Sequence, residues 1–208
     1  MVSAPSGAGK TSLVQAVRRR LPGLGFSVSY TTRPPRPGEV HGEHYCFVDK
    51  ATFVALMAQG EFIEHAQVFG EYYGTSRTQV QALLDAGQDV ILEIDWQGAR
   101  MVRQAMPGCL SIFILPPSRQ TLQQRLRRRG SEDEAAIAKR LADARLEISH
   151  YNEYDYLIVN DDMQEALSLL EAVIQAGRQR MAVQRIRQAP LIQALLADEV
   201  TEHGADYR

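Results

Sequence analysis

Apolar residues recur along the chain in two rhythms. Leu13, Val14, Val17 and Leu21 fall on one face of a 3.6-residue helix that Pro22-Gly23 stops. Three nearly continuous apolar runs, 89–95, 110–115 and 156–159, read as strands separated by helices. That arrangement predicts a parallel sheet buried on both faces. Shorter strands are predicted at 26–30, 45–48 and 62–69. Asp49 is a candidate cap for a helix over 51–57 closed by Gly60, and Ser76 for a helix that ends at Gly87. A basic helical stretch, 122–129, and a polar helix, 134–150, carry too many charges for core elements and are expected to form a mobile lid. The tail, 163–196, reads as helix.

Composition narrows the class. With 208 residues and 45% hydrophobic content the chain supports one mixed domain with a packed core, and no linker divides it. A formal charge of −2 argues against nucleic-acid or membrane-surface binding. Cys46 and Cys109 cannot build a disulfide framework, which suits a reducing cytoplasm. The histidines form no zinc pattern. No apolar run approaches the roughly 18 residues that span a bilayer. The oligomeric state is left open, since the C-terminal helical region can pack on its own core or form a homo-oligomer.

The chemistry starts at the N-terminus. Ala4-Pro5-Ser6-Gly7-Ala8-Gly9-Lys10-Thr11 is a phosphate-binding loop with Ala in place of the usual first Gly. Small residues let successive N–H groups turn toward one anion. Lys10 adds charge at the β/γ-phosphates, and Thr11 offers a hydroxyl to Mg²⁺. Only Met1, Val2 and Ser3 precede the loop, where a buried strand is normal and where a signal peptide would otherwise have to stand. Either that strand is very short or the true start lies upstream, and the second is the expectation.

Three further features point past generic nucleotide binding. Arg33 and Arg36 stand on a proline-rich loop expected to be stiff and extended, and with Tyr45 and Tyr73 they suit a second phosphate group. Glu64, Asp95, Ser29 and Thr75 combine carboxylate acceptors with hydroxyl donors. That set matches the N1–H, N2–H₂ and O6 edge of guanine, whereas adenine would strand a buried carboxylate. Arg129, with near neighbours Arg125, Arg127 and Arg128, and Arg140 are basic groups on the lid segment.

These segments together resemble the guanylate kinase family, in particular its bacterial members, over nearly the whole chain. The resemblance rests on the phosphate loop, on Ser29 through Glu39 with Arg33-Pro34-Pro35-Arg36-Pro37-Gly38, on Phe62-Ile63-Glu64-His65-Ala66, Tyr72-Tyr73-Gly74-Thr75-Ser76, Glu93-Ile94-Asp95-Trp96-Gln97-Gly98 and Ile158-Val159-Asn160-Asp161-Asp162. It implies a P-loop NTPase-type α/β fold: a parallel sheet with helices on both faces (1–28, 77–116 and 149–208), an inserted GMP-binding subdomain (29–76) and a helical lid (117–148). It implies Mg²⁺-dependent transfer of the γ-phosphoryl group of ATP to GMP or dGMP. In that reading Ser6, Gly7, Ala8, Gly9, Lys10, Thr11, Ser12 and Asn160 bind ATP. Ser29, Arg33, Arg36, Tyr45, Glu64, Tyr73, Thr75 and Asp95 bind GMP. Lys10, Arg33, Arg129 and Arg140 serve catalysis, and Thr11 and Glu93 serve the metal, Glu93 directly or through water. Two rivals rank lower. Asp95-Trp96-Gln97-Gly98 fits the D-x-x-G of a regulatory GTPase, but no Asn-Lys-x-Asp motif accompanies it. A non-catalytic scaffold module would typically have lost the phosphate-loop residues that this chain keeps.

Overall fold

The structure is a computed structural model, which describes residues 1–68, 70–128 and 134–197. It divides into two units, Met1–Glu171 and Ala172–Arg208. The first contains two sheets. One is assembled from β1 (Val2–Ser3), β2 (Leu24–Phe26), β7 (Asp89–Ile91), β8 (Ile112–Leu115) and β9 (Tyr156–Val159), all paired in parallel. β2 pairs with β7, and β1, β8 and β9 run in that order. A bridge between Val2 and Glu93 joins the two sets. Val2 N–H donates to Leu92 O at 2.9 Å, and Ile94 N–H donates to Val2 O at 3.2 Å. The order is therefore β2-β7-β1-β8-β9. The loop is preceded by a strand of two residues, which occupies the middle of the sheet.

The apolar runs differ from expectation where neighbours are lacking. On the β2 side the pairing of 89–95 stops at Ile91, while on the other side it continues to the Val2–Glu93 bridge, which leaves Asp95 beyond the sheet's C-terminal edge. β8 is buried as expected, whereas β9 is an edge strand, with Leu157 48% and Val159 49% exposed. The run 26–30 is not one strand. Phe26 ends β2 in the core sheet, and β3 (Tyr30–Thr31) begins in the other. Ser27, Val28 and Ser29 carry the chain between them.

The second sheet has the order β4-β3-β6-β5, from β3, β4 (Cys46–Phe47), β5 (Phe62–Val68) and β6 (Glu71–Ser76). The apolar pattern marks no strand over Tyr72 to Thr75, yet β6 runs through it. Helix α2 (Lys50–Ala58), capped by Asp49, closes this layer. Phe53 stacks on Phe62 with ring centroids 4.5 Å apart and on Tyr72 at 5.4 Å. Gly74 lies under that cluster, and a Cβ there would come within 3.0 Å of Phe53 and Phe62.

Around the core sheet stand α1 (Lys10–Arg20), α3 (Arg77–Asp85) and α4 (Trp96–Ala105), while α5 (Arg119–Arg128) packs on α6 (Glu134–Ser149). The charge-rich pair α5–α6 has its own small apolar seam of Leu122, Leu126, Ala144 and Leu141. The tail is not one helix. It forms α7 (Met163–Arg178), α8 (Met181–Arg187) and α9 (Ala189–Leu196). Pro190 in the first turn of α9 has no N–H to continue α8, which explains the second break.

Candidate active site

The phosphate loop is shaped by two left-handed glycines, Gly7 at φ 92° and Gly9 at φ 96°, and by a turn in which Ala8 N–H donates to Pro5 O at 3.0 Å. α1 then starts at Lys10 without a side-chain cap, whereas Asp49, Ser76 and Asp95 cap α2, α3 and α4. Its first amides are left for an anion. Ser6, Thr11 and Ser12 are exposed on this rim.

The loop is held from the side. Asn160, 4% exposed, donates its amide to Ala8 O at 2.7 Å, and a Cβ on Gly9 would fall 2.3 Å from that amide nitrogen. Arg125 donates to the same carbonyl at 3.3 Å and to Asn160 O at 3.1 Å. In the sequence Arg125 stands out only as a neighbour of Arg129. Its hold on the loop depends on tertiary contacts that no motif encodes.

Lys10 reaches toward the end of β7, donating to Ile94 O at 3.1 Å. On one side of Ile94, Glu93 accepts from the Thr11 hydroxyl at 2.9 Å. On the other, Asp95 caps α4, accepting from Gly98 N–H at 2.8 Å and from the Gln97 amide at 3.3 Å.

Beside Asp95 lies Glu64, a 4% exposed carboxylate. The β5–β6 register shifts between Phe62 and Glu64, and such a bulge re-aims side chains. Here Phe62, Ile63 and Glu64 are all buried in succession. Glu64 accepts from the Thr75 hydroxyl at 2.5 Å. Burial pushes its pKa up to about 7, with the Thr75 hydrogen bond opposing, Asp95 adding to the rise and Lys10 opposing it. Gly98 makes room for this carboxylate, since a Cβ there would sit 2.5 Å from Glu64 Oε2. Nothing in the sequence pattern marks glycine as necessary at 98.

Arg33, Tyr45 and Tyr73 come together on the second sheet. The Arg33 guanidinium lies over the Tyr45 ring at 5.4 Å, and the Tyr45 and Tyr73 centroids are 6.0 Å apart. Glu39 organises the arginine loop. Both of its oxygens accept from Arg33 at 2.9 Å, and Oε2 also accepts from Arg36 N–H at 2.7 Å. Burial works against the Arg33 charge, but Glu39 and then Tyr73 hold its pKa above the ordinary value. Burial, then Tyr73 and Glu93, push the Tyr45 phenol up. The loop is not extended throughout, because Glu39 N–H donates back to Arg36 O at 3.0 Å in a turn completed by Gly38 at φ 85°. The Arg36 side chain is exposed. Ser29 precedes β3, and its carbonyl takes the Cys46 N–H at 2.9 Å.

Arg140 is half-buried on α6. It stands seven residues before Glu147, hence two turns away on the same face. Glu147 accepts from Ser6 N–H at 3.0 Å, so that face looks onto the phosphate loop. Arg129 lies outside the described residues.

Comparisons with known proteins converge on one family. The family model described as Guanylate kinase matches residues 1–177. The chain is similar to the guanylate kinase of Alkalilimnicola ehrlichii, 60% identical across 95% of this chain and 96% of that one. It is 59% identical to the guanylate kinase of Chromohalobacter salexigens, over 95% and 92%. It is 56% identical to that of Escherichia coli strain K12, over 95% and 97%. The crystal structure of guanylate kinase from Anaplasma phagocytophilum superimposes with a TM-score of 0.70 at 36% identity, covering 89% of this chain and 92% of that one.

Proposed function

The chain belongs to the guanylate kinase family, and from that premise we propose which of its residues hold each substrate. It is a nucleoside monophosphate kinase that transfers the γ-phosphoryl group of ATP to GMP, giving ADP and GDP for purine nucleotide metabolism. Ser6 to Ser12 hold the ATP phosphates, and Asn160 and Arg125 keep that loop in shape beside the adenine. Arg33, Arg36, Tyr45 and Tyr73 hold the phosphate of GMP. Glu64, Thr75, Ser29 and Asp95 read its base. Segment 29–76, with the second sheet, is the GMP-binding subdomain, and 117–148 is the lid that brings Arg140 and Arg129 over the reacting phosphates.

The observation that carries this reading is a continuous chain of contacts between two chemically different groups of residues. Lys10 is bonded to Ile94, Ile94 adjoins Asp95, and Asp95 and Gly98 border Glu64 with its Thr75 partner. A basic, amide-lined loop and a carboxylate–hydroxyl base site therefore share one wall.

Thr11 and Glu93 fit Mg²⁺, being a hydroxyl and a carboxylate already 2.9 Å apart at the exposed rim of the loop. They supply only hard oxygen ligands, and Mg²⁺ at such sites keeps waters and takes the rest from substrate phosphates. When bound, the ion would neutralise charge on the ATP phosphates. The chain's own residues do the remainder. The GMP phosphate oxygen is already ionised near neutral pH, so no general base is required. Lys10, Arg33 and Arg140 offset the repulsion between two anions and stabilise the charge on the transferring group. Lid closure excludes water and suppresses hydrolysis of ATP.

Among the described residues no helix is long and apolar enough to cross a membrane. We place the enzyme in the cytoplasm, with ATP and GMP as its partners and its oligomeric state open. The test is ADP release with ATP and Mg²⁺ in the presence of GMP, AMP, UMP or no acceptor. Turnover with GMP alone is expected. Equal turnover with AMP would overturn the base assignment.

A further inference from the structure

One carboxylate stands where phosphoryl transfer has no use for it. Glu147, in the last turns of α6, accepts from the Ser6 backbone N–H at 3.0 Å. Everything else about the loop is arranged for an anion: the left-handed glycines, the uncapped start of α1 and Lys10. Burial raises the Glu147 pKa; Ser6 N–H and Lys10 favour its charge, while Asp95 and Asp143 oppose it. A carboxylate in this position gives the Ser6 amide the negative partner that a phosphate oxygen would give it. It is also a like charge to any triphosphate that arrives.

We propose that Glu147 is a self-ligand of the phosphate loop, an internal anion carried by the lid helix that ATP must displace. The proposal rests on reading Ser6–Ser12 as the ATP phosphate site. Displacement has a mechanical consequence. One turn further on, His150 stacks on Trp96 with ring centroids 3.9 Å apart and planes 15° from parallel. Glu153 accepts from or pairs with both His150 and Arg100, and Arg100 lies over the same Trp96 ring at 4.8 Å. Moving Glu147 off the loop pulls on that stack and reorients the face of α6 that carries Arg140. Nucleotide arrival and lid position are thereby coupled through one side chain.

The chain has a single tryptophan, so tryptophan emission reports the Trp96–His150 stack just beyond α6. ATP alone, without GMP, is titrated into the full chain and into Glu147→Gln and Glu147→Ala, following Trp96 emission and measuring affinity by calorimetry. Both variants are expected to bind ATP about fivefold or more tightly than the parent. Much of the emission change that ATP causes in the parent should already be present in Glu147→Ala before ATP is added. Unchanged or weakened ATP binding in both variants would overturn the proposal and leave Glu147 a support for the loop. A parent chain that binds no ATP would instead overturn the reading of the loop itself. The glutamine variant keeps the side-chain volume, and the alanine variant removes the acceptor, so one misfolded variant does not spare the idea.

Discussion

Thr75 and Glu64 stand opposite each other across the β5–β6 ladder, and the Thr75 hydroxyl donates to the Glu64 carboxylate at 2.5 Å. That pairing leaves Glu64 Oε2 directed at Gly98 and Asp95, toward the space assigned to guanine.

Glu64→Gln replaces an acceptor with a group that also donates. Guanine's N1–H and N2–H₂ then meet a mismatched partner in a buried site, and losing such a pairing typically costs selectivity by orders of magnitude. KM for GMP should rise about tenfold or more, with ATP KM unchanged. Steady-state kinetics with GMP and AMP check this, and an unaltered GMP KM would remove Glu64 from the base site.

The same carboxylate makes a pH prediction. Its folded pKa is raised to about 7, above the unfolded value, so the folded state holds the proton more tightly. Below about pH 4.5 both states are protonated and the residue costs nothing. Stability is lost as pH rises from there through about 7, by roughly 3 kcal/mol in all if the shift is fully realised. The Tm of Glu64→Gln minus that of the parent should therefore grow between pH 5 and 8. GMP affinity runs the other way, because guanine needs the ionised form. It should strengthen from pH 6 to 8 in the parent more than in the variant.

Gly98→Ala separates helix propensity from site geometry. Alanine favours a helix interior over glycine by about 1 kcal/mol, yet here the new Cβ would fall 2.5 Å from Glu64 Oε2. The expected result is a raised GMP KM, roughly tenfold, with little loss of helicity by circular dichroism. A normal KM would show that Glu64 can retreat without consequence.

Arg140→Ala tests the lid. The face it shares with Glu147 looks onto the phosphate loop, where charge spreads in the transition state. kcat should fall at least about tenfold, and GMP KM far less, because the interaction is made chiefly as the phosphoryl group moves. An unchanged kcat would exclude that role.

Much of this was legible in the sequence because short motifs carry their own geometry. Gly7, Gly9 and Lys10 specify an anion loop wherever they occur before a helix, and Asp49 and Ser76 cap the helices their positions suggest. Arg33, Tyr45 and Tyr73 were grouped by chemistry and are grouped in space. What stayed hidden depends on long-range contact. Glu147 meets Ser6 across 141 residues, and the need for glycine at 98 on α4 is set by a side chain on β5. The seven-residue spacing from Arg140 to Glu147 was the one local clue to that face. Glu39 sat inside the arginine motif, but its grip on Arg33 and Arg36 only emerges once the loop turns back on itself. The length of β7 and the exposure of β9 were misjudged because an apolar run does not say where its neighbours end.

Four consecutive residues just beyond β7, the last of them opening α4, each have a different task. Glu93 takes the Thr11 hydroxyl, Ile94 the Lys10 ammonium, Asp95 caps α4 beside the base site, and Trp96 lies under His150. An extended chain advances about 3.3 Å per residue and turns over at each step. Inserting or deleting one residue between Glu93 and Asp95 would put these two carboxylates on opposite sides relative to each other, parting the acceptor beside Thr11 from the one beside the base site. This segment can change its letters, within limits, but not its length.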